Sequence, residues 1–224
     1  MIKINKNQNE LETKGSFAFM GLSLGKMLFQ DKKVMEAYAK FLSDNFSEAF
    51  FFIADLPKRY NIMAIEGLSE DKALERIKKG SNNLLKFIES VSEKYPNLSV
   101  KIYRELQDES YRHNLEILNK TYLEDHKFRH LLRRGVVDFL SLPNNKKKIE
   151  SSDNSFEKSI DIAINYRLDE LAMLLSLPCN YEEIYEIYPG VDELHEMLHD
   201  DKFGFCKDLK KNQRRKFLEV HYED

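Results

Sequence analysis

The chain has 224 residues, of which 42% are hydrophobic and 12% aromatic, enough to build the core of one globular domain. It has no apolar run of about 18 residues, which excludes a membrane-spanning helix, and its polar first residues do not resemble a signal peptide. The net charge of −3 argues against nucleic-acid binding over the whole surface, and two cysteines are too few for a disulfide scaffold, so we expect a cytoplasmic protein.

Segments with strand character alternate with helical periodicity along the chain. Residues 1–15 are predicted to form a polar arm, and residues 16–224 a single domain. Strands are predicted at residues 16–24, 49–55, 98–103, 184–188 and, as an edge strand, 216–221. Helices are predicted at residues 32–46, 69–93, 108–120, 122–141, 155–176 and 191–200. Loops are predicted around Pro57 and, as a mobile segment, at residues 142–148. This alternation predicts an α/β fold in which helices flank a parallel sheet.

The first predicted strand ends in a small-residue turn, Gly21-Leu22-Ser23-Leu24-Gly25, that presents one serine. Open α/β sheets bind ligands at the carboxyl ends of their strands, so Ser23 is a candidate nucleophile. The turn also matches the G-x-S-x-G elbow of α/β hydrolases, but that fold needs strands before the elbow and only one precedes Ser23. A serine esterase, and a serine that merely ends a strand, are the alternatives.

A second pattern, His195-Glu196-Met197-Leu198-His199, matches the H-E-x-x-H motif of zinc enzymes. On a helix this spacing puts two imidazoles on one face, with the glutamate beside the metal. A zinc site would need a third ligand, which His221 or Glu219 could supply. Because the motif lies in a short acidic helix, we favour two surface histidines and expect no metal; a zinc hydrolase is the alternative.

The helix predicted from Ser69 carries a basic stripe. Four basic residues fall within about 80° of its circumference, opposite its apolar side. They are Lys72, Arg76, Lys79 and Lys86. Such a stripe suits a phosphate backbone, although a solvated charged face has the same composition.

Tyr166 and Glu170 lie four residues apart on the helix predicted at 155–176, so their side chains share one face. A phenol beside a carboxylate can hold an amine or a hydroxyl and remove its proton. A surface pair without chemistry is the alternative.

Together these motifs resemble the cyclodipeptide synthase family, whose members join the amino acids of two aminoacyl-tRNAs into a cyclic dipeptide. The serine turn resembles the family's nucleophile turn, and Tyr166-Arg167-Leu168-Asp169-Glu170 resembles its Tyr-x-x-x-Glu helix. Tyr188-Pro189 resembles the site of the tyrosine beside the serine, with Tyr185 as the competing choice. The chain also resembles the middle segment of the family, at Glu105-Leu106-Gln107, Tyr111-Arg112, Asp125 and Phe128.

The resemblance covers nearly the whole chain, from about Phe17 to Tyr222, and favours one of two subgroups. One subgroup has asparagine after the nucleophile turn and histidine after the late tyrosine. Here those positions are Lys26 and Pro189, which matches the subgroup with proline after the tyrosine.

The resemblance implies a Rossmann-like fold similar to the catalytic domain of class I tyrosyl- and tryptophanyl-tRNA synthetases. Their ATP-handling signatures are absent from the sequence, which agrees with a donor that arrives already activated. It implies that Ser23 accepts an aminoacyl group, that Tyr166 and Glu170 anchor its ammonium and move protons, and that Tyr188 orients the serine. Implied substrate contacts are Gly21, Gly25, Lys26 and Pro189, and the basic stripe would bind tRNA.

We expect two aminoacyl-tRNAs as substrates, no membrane, no metal, no cofactor and a monomer. Besides the zinc hydrolase and the serine esterase, a tRNA-binding module without chemistry is a third alternative.

Overall fold

The computed structural model describes residues 2–4, 16–105, 107–177, 183–190 and 214–223. The strands of this part of the chain are β1 Ile2–Ile4, β2 Phe17–Ser23, β3 Glu48–Ala54, β4 Leu98–Ile102, β5 Glu183–Tyr188 and β6 Arg214–Tyr222. The α-helices are α1 Lys32–Asn45, α2 Lys58–Glu66, α3 Glu70–Ser92, α4 Glu109–Glu124, α5 His126–Leu140, α6 Pro143–Glu150 and α7 Phe156–Ser176. None of these helices is long and apolar enough to cross a membrane.

The strands form one six-stranded sheet in the order β1-β6-β5-β2-β3-β4. The pairs β2–β5, β3–β4 and β5–β6 are parallel, and the short β1 runs antiparallel to β6. The predicted α/β fold with a mainly parallel sheet is confirmed.

The chain divides into two compact units, described separately below. The sheet unit takes its residues from Met1–Ile53, Ser81–Glu105 and Pro178–Asp224. The helical unit takes its residues from Ala54–Gly80 and Leu106–Leu177.

The core of the sheet unit lies between one face of the sheet and two helical segments. Alternate residues of β2, such as Ala18 and Met20, point to this face because side chains alternate along a strand. They pack with the buried side of α1, including Tyr38, and with the part of α3 that contains Ile88. At the start of α1, Asp31 accepts backbone hydrogen bonds at 2.9 and 3.2 Å and so caps the helix.

In the helical unit, α7 packs against α2, α4 and α5. Buried polar side chains fix these contacts: the Ser159 hydroxyl donates to the Ala64 carbonyl at 2.7 Å, and the Asn114 amide donates to the Ser176 hydroxyl at 2.7 Å. The start of α5 is set by Asp125, whose carboxylate accepts from the Phe128 amide at 2.9 Å. The sequence predicts two helices here, at 108–120 and 122–141. Because of this cap, the break between them lies at residue 125.

Three sequence predictions are wrong in this part of the chain. The loop predicted around Pro57 contains α2, and the segment 142–148, predicted as a mobile loop, contains most of α6. Both helices start at or just after a proline, which is tolerated in a first helical turn because those amides have no partner within the helix. The strand predicted at 216–221 is not an edge strand, because β1 pairs with the outer side of β6.

Two further expectations concern the ends of the chain. Within the arm predicted at residues 1–15, Ile2–Ile4 forms β1. The helix predicted at 191–200 lies outside the described residues.

Candidate active site

The parallel pairing of β2 with β5 brings the carboxyl ends of both strands to the same edge of the sheet. The register runs from Phe17 opposite Ile184 to Met20 opposite Ile187, and Ser23 and Tyr188 are the last residues of their strands. Ser23 Oγ lies 3.5 Å from Tyr188 Oη. A hydroxyl that could act as a nucleophile therefore has a phenol beside it.

The turn after Ser23 depends on a glycine. The Lys26 amide donates to the Ser23 carbonyl at 3.3 Å, which closes the turn, and Gly25 has a φ of 87°. This left-handed conformation favours glycine over residues with a Cβ. At the other glycine of the motif, Gly21, an added Cβ would meet no atom of the described residues within 4 Å, so these residues leave open space beside the end of β2.

Lys26 links the two strand ends. Its Nζ lies 4.7 Å from the centroid of the Tyr188 ring and 5.3 Å from that of Phe29, and it donates to the Pro189 carbonyl at 3.3 Å. An ammonium over aromatic rings is stabilised by their π electrons, although burial lowers the pKa of Lys26. The predicted residues Ser23, Lys26, Tyr188 and Pro189 thus lie together in the sheet unit.

Tyr185, the competing choice for the tyrosine beside the serine, has a different environment. It pairs with Ala18, is fully buried, and its ring centroid lies 5.3 Å from that of Phe46. Its hydroxyl lies 3.4 Å from a carboxylate oxygen of Glu183. Of the two tyrosines, Tyr188 contacts Ser23.

In the helical unit, the pair predicted on α7 is in contact. The Tyr166 hydroxyl donates to Glu170 Oε1 at 2.9 Å, and Arg167 Nη1 donates to Glu170 Oε2 at 3.0 Å. Each oxygen of the carboxylate thus accepts a hydrogen bond, and the one from the Arg167 guanidinium is charge-assisted. The glutamate is held by two neighbours from its own helix.

Behind this pair lies a buried acid that sequence reasoning did not select. Asp169 is 2% exposed and accepts a short hydrogen bond from the Tyr111 hydroxyl. Arg59 Nη1 lies 3.4 Å from the other oxygen of Asp169, and Arg59 Nε lies 3.1 Å from a carboxylate oxygen of Glu70. Arg59 therefore connects α2 with the beginning of α3 and with α7.

A second residue that sequence reasoning missed, Lys58, precedes Arg59 on α2. It is half-buried, and burial lowers its pKa while the nearby Glu170 carboxylate acts in the opposite direction and Lys148 lowers it further. Lys58 and Arg59 were overlooked because the segment that contains them was predicted as a loop. The signal that could have found the helix is the spacing of its buried residues, Asn61, Ala64 and Ile65, at intervals of three and one.

The four residues of the basic stripe are exposed on α3, as predicted for its charged side. Arg76 forms a short ion pair with one oxygen of Glu66, whose other oxygen lies 3.2 Å from Lys148 Nζ. Within the described part of the chain, Lys72, Lys79 and Lys86 have no ion-pair partner. Three of the four positive charges are thus available to an external anion.

The zinc motif at residues 195–199 lies outside the described residues. One of the residues considered as its third ligand, His221, is described, and its Nε2 lies 2.8 Å from Glu219 Oε1. Among the described residues there is no group of three histidine, cysteine or acidic side chains that could hold a metal ion.

A family model described as cyclodipeptide synthase matches residues 3–213 of the chain. Among solved structures, a cyclodipeptide synthase of Fluoribacter dumoffii has 15% sequence identity and a TM-score of 0.81 over 100% of this chain and 99% of that chain. One from Bacillus thermoamylovorans has 17% identity and a TM-score of 0.79 over 100% and 96% of the two chains. A third, from Candidatus Glomeribacter gigasporarum and bound to Phe-tRNAPhe, has 17% identity and a TM-score of 0.71 over 97% and 92%.

The similarity extends to a tyrosyl-tRNA synthetase of Archaeoglobus fulgidus complexed with L-tyrosine, with 16% identity and a TM-score of 0.52 over 93% of this chain and 56% of that chain. At such low identities the likeness is one of fold, and it agrees with the predicted relation to class I synthetases. No curated protein sequence matches the chain.

Proposed function

The chain belongs to the cyclodipeptide synthase family, and we propose that it forms its cyclic dipeptide from two aminoacyl-tRNAs through an ester on Ser23. The contact of Ser23 Oγ with Tyr188 Oη, 3.5 Å apart at the carboxyl edge of the sheet, carries this proposal. A serine nucleophile divides amide formation into easier steps, and an aminoacyl ester needs no ATP to react.

In the first step, Ser23 Oγ attacks the ester carbonyl of an aminoacyl-tRNA. The bond from this carbonyl to the tRNA ribose breaks, and the hydroxyl proton is transferred to the ribose oxygen. Tyr188 orients Ser23 or the reacting carbonyl through its hydroxyl. The product is an aminoacyl ester on the enzyme and a free tRNA.

In the second step, the amine of the bound amino acid attacks the ester carbonyl of a second aminoacyl-tRNA, the bond from this carbonyl to the tRNA ribose breaks, and the second tRNA leaves with a proton on its ribose oxygen. This direction of attack keeps the growing dipeptide on Ser23. The new amine then attacks the ester on Ser23, closes the ring and restores the hydroxyl. Each amide-forming step removes a proton from an amine, and we assign its binding and proton transfer to Glu170 with Tyr166, which share a 2.9 Å hydrogen bond.

The remaining sequence predictions become parts of this proposal. Gly21 leaves space for the acyl group, and Gly25 maintains the turn. Lys26, held against the Pro189 carbonyl, contributes positive charge beside Tyr188. The basic stripe, Lys72, Arg76, Lys79 and Lys86, holds the acceptor arm of the first tRNA through its phosphates.

We further propose that the chain belongs to the subgroup with proline after the late tyrosine. Residues 16–224 then act as one catalytic domain, and the enzyme is a cytoplasmic monomer that needs no metal or cofactor because its substrate arrives activated.

The experiment is incubation of the protein with tRNA charged with radiolabelled amino acids, followed by acid precipitation and mass spectrometry of the soluble products. The wild type should carry label and release a cyclic dipeptide, whereas Ser23→Ala should do neither. Ser90→Ala, which changes an exposed serine on α3, is the matched control. Label on the Ser23→Ala protein would overturn the covalent role of Ser23.

A further inference from the structure

The helical unit carries a line of cations that leads from the basic stripe toward Glu170. Glu66, at the end of α2, brings two of them together: Arg76 of α3 pairs with one of its oxygens, and Lys148 of α6 lies 3.2 Å from the other. Lys148 of α6, which was predicted as part of a loop, is therefore brought beside the stripe. The positive surface is larger than α3 alone.

Lys58 continues this line at the other end of α2. It is half-buried and close enough to both Lys148 and Glu170 to feel their charges. Its position is fixed by the backbone, because its amide donates to the Asp55 carbonyl at 3.0 Å and α2 packs against α6 and α7. The order of charges is thus Arg76, Lys148, Lys58 and then the carboxylate of Glu170.

The Lys58 ammonium has no hydrogen-bond or ion-pair partner within the residues that the structure describes. The Glu170 carboxylate already accepts bonds from Tyr166 and Arg167 and is not bonded to it. A lysine that is partly removed from water and forms no direct ion pair is suited to an anion supplied from outside.

The chemistry of the substrate identifies this anion. In an aminoacyl ester the amino-acid carboxylate is consumed by the ester bond, so the anionic groups of an aminoacyl-tRNA are its phosphodiesters. The aminoacyl group is carried on the 3′-terminal ribose, and the phosphates nearest to it belong to the unpaired 3′ end. A nucleic acid held on α3 with its acyl group at Glu170 would lay these phosphates along the cations between them.

We propose that Lys58 and Lys148 bind the backbone phosphates of the single-stranded 3′ end of the aminoacyl-tRNA, between the basic stripe and Glu170. This inference rests on the proposed function, because it takes the stripe as the binding surface of the acceptor arm. It adds a second, separate set of tRNA contacts on α2 and α6.

The test measures binding of deacylated tRNA, which cannot react, to the full-length protein at several salt concentrations. Two probes are used: intact tRNA and the same tRNA with its unpaired 3′ nucleotides removed. For Lys58→Gln combined with Lys148→Gln, affinity for intact tRNA should fall about tenfold at physiological salt, and the salt slope should decrease by about 1.4, or about 0.7 for each phosphate lost from a single strand. Affinity for the truncated tRNA should stay within about twofold.

Two variants control for folding and for charge in general. Lys58→Arg combined with Lys148→Arg keeps both charges and should bind both probes like the wild type. Lys32→Gln combined with Lys33→Gln removes two charges from exposed positions of α1 in the sheet unit and should change neither affinity.

The proposal is overturned if the glutamine variant binds intact tRNA normally, or if it loses the same factor with both probes. Failure of the proposed role of the stripe looks different: reversing it with Lys72→Glu and Lys79→Glu would then leave the affinity for both probes unchanged. If the stripe variant weakens both probes while the Lys58 and Lys148 variant weakens neither, only the present inference fails.

Discussion

The serine half of the proposed site, in the sheet unit, and the glutamate half, in the helical unit, are built from different interactions. Ser23 is held by a turn and touches one phenol at 3.5 Å, beside a lysine that contacts rings and a carbonyl. Glu170 instead has each oxygen bonded, at 2.9 and 3.0 Å. The difference indicates that the proposed nucleophile keeps freedom to meet a carbonyl, while the carboxylate is fixed before the substrate arrives.

The largest effect is expected from Glu170→Gln, which keeps the shape of the side chain but removes its capacity to accept a proton. Cyclic dipeptide formation should fall about a hundredfold or more, as for loss of a general base. Label on Ser23 should still form, because the first step needs no amine to lose a proton, but more slowly, because Glu170 also binds the ammonium of the first amino acid. The measurement is single-turnover labelling beside mass spectrometry of the product.

The exposed residue Glu157 on the same helix provides the control for this variant, since Glu157→Gln should leave both readings unchanged. If the Glu170→Gln protein took up no label, the proposed division of roles between the two halves would be wrong, because Glu170 would then also be required for the reaction of Ser23.

The second effect concerns the support of Glu170. In Asp169→Asn, an amide replaces the buried carboxylate beside Arg59 and Tyr111, and the free energy of unfolding should fall by about 1.5–3 kcal/mol, the range for hydrogen bonds to charged groups. Urea denaturation measures this change. The exposed Asp161→Asn on α7 is the control, and equal stability of both variants would show that the glutamate half is not rigidly supported.

The third effect belongs to the serine half. Tyr188→Phe removes one long contact to Ser23, so the rate of labelling should fall about tenfold, as for a lost hydrogen bond of about 1.4 kcal/mol. Tyr185→Phe, which changes the other tyrosine of the same strand, should leave the labelling rate within about twofold. If Tyr188→Phe lowered the labelling rate as much as Glu170→Gln lowers cyclic dipeptide formation, the serine would be held as tightly as the carboxylate.

The smallest effect is a pH dependence from Lys26. Burial lowers its pKa in the folded protein, so the unfolded chain binds more protons between the lowered value and the ordinary one. The free energy of unfolding therefore rises with pH across that window, and Lys26→Met should remove this part of the rise. Thermal unfolding at several alkaline pH values measures it, with Lys33→Met on α1 as the exposed control. Identical pH profiles for the wild type and Lys26→Met would contradict the assignment.

The serine half could be predicted from the sequence because it depends on strands. An apolar run ending in glycines specifies β2, and a parallel partner ending in Tyr188-Pro189 meets it at the same edge. On α7, the spacing of Tyr166 and Glu170 alone fixes their contact.

The surroundings of Glu170 could not be predicted, for two physical reasons. Proline at the beginning of α2 and α6 has the same sequence signature as a loop, and the buried side of α2 is short and includes an asparagine. The partners of Lys58 and Arg59 come from helices distant in the sequence, so no local pattern contains them. The strand β1 was missed because three residues are too few for a period to be seen.

Glu66, which holds Arg76 and Lys148 while no polyanion is bound, has a consequence for turnover. A tRNA that takes these two cations must displace the carboxylate, and the carboxylate then competes to recover them. In the proposed binding mode, such an internal competitor would weaken every bound nucleic acid by the same factor and hasten the departure of spent tRNA. A synthase that consumes two tRNA molecules for each ring it closes depends on this release as much as on capture.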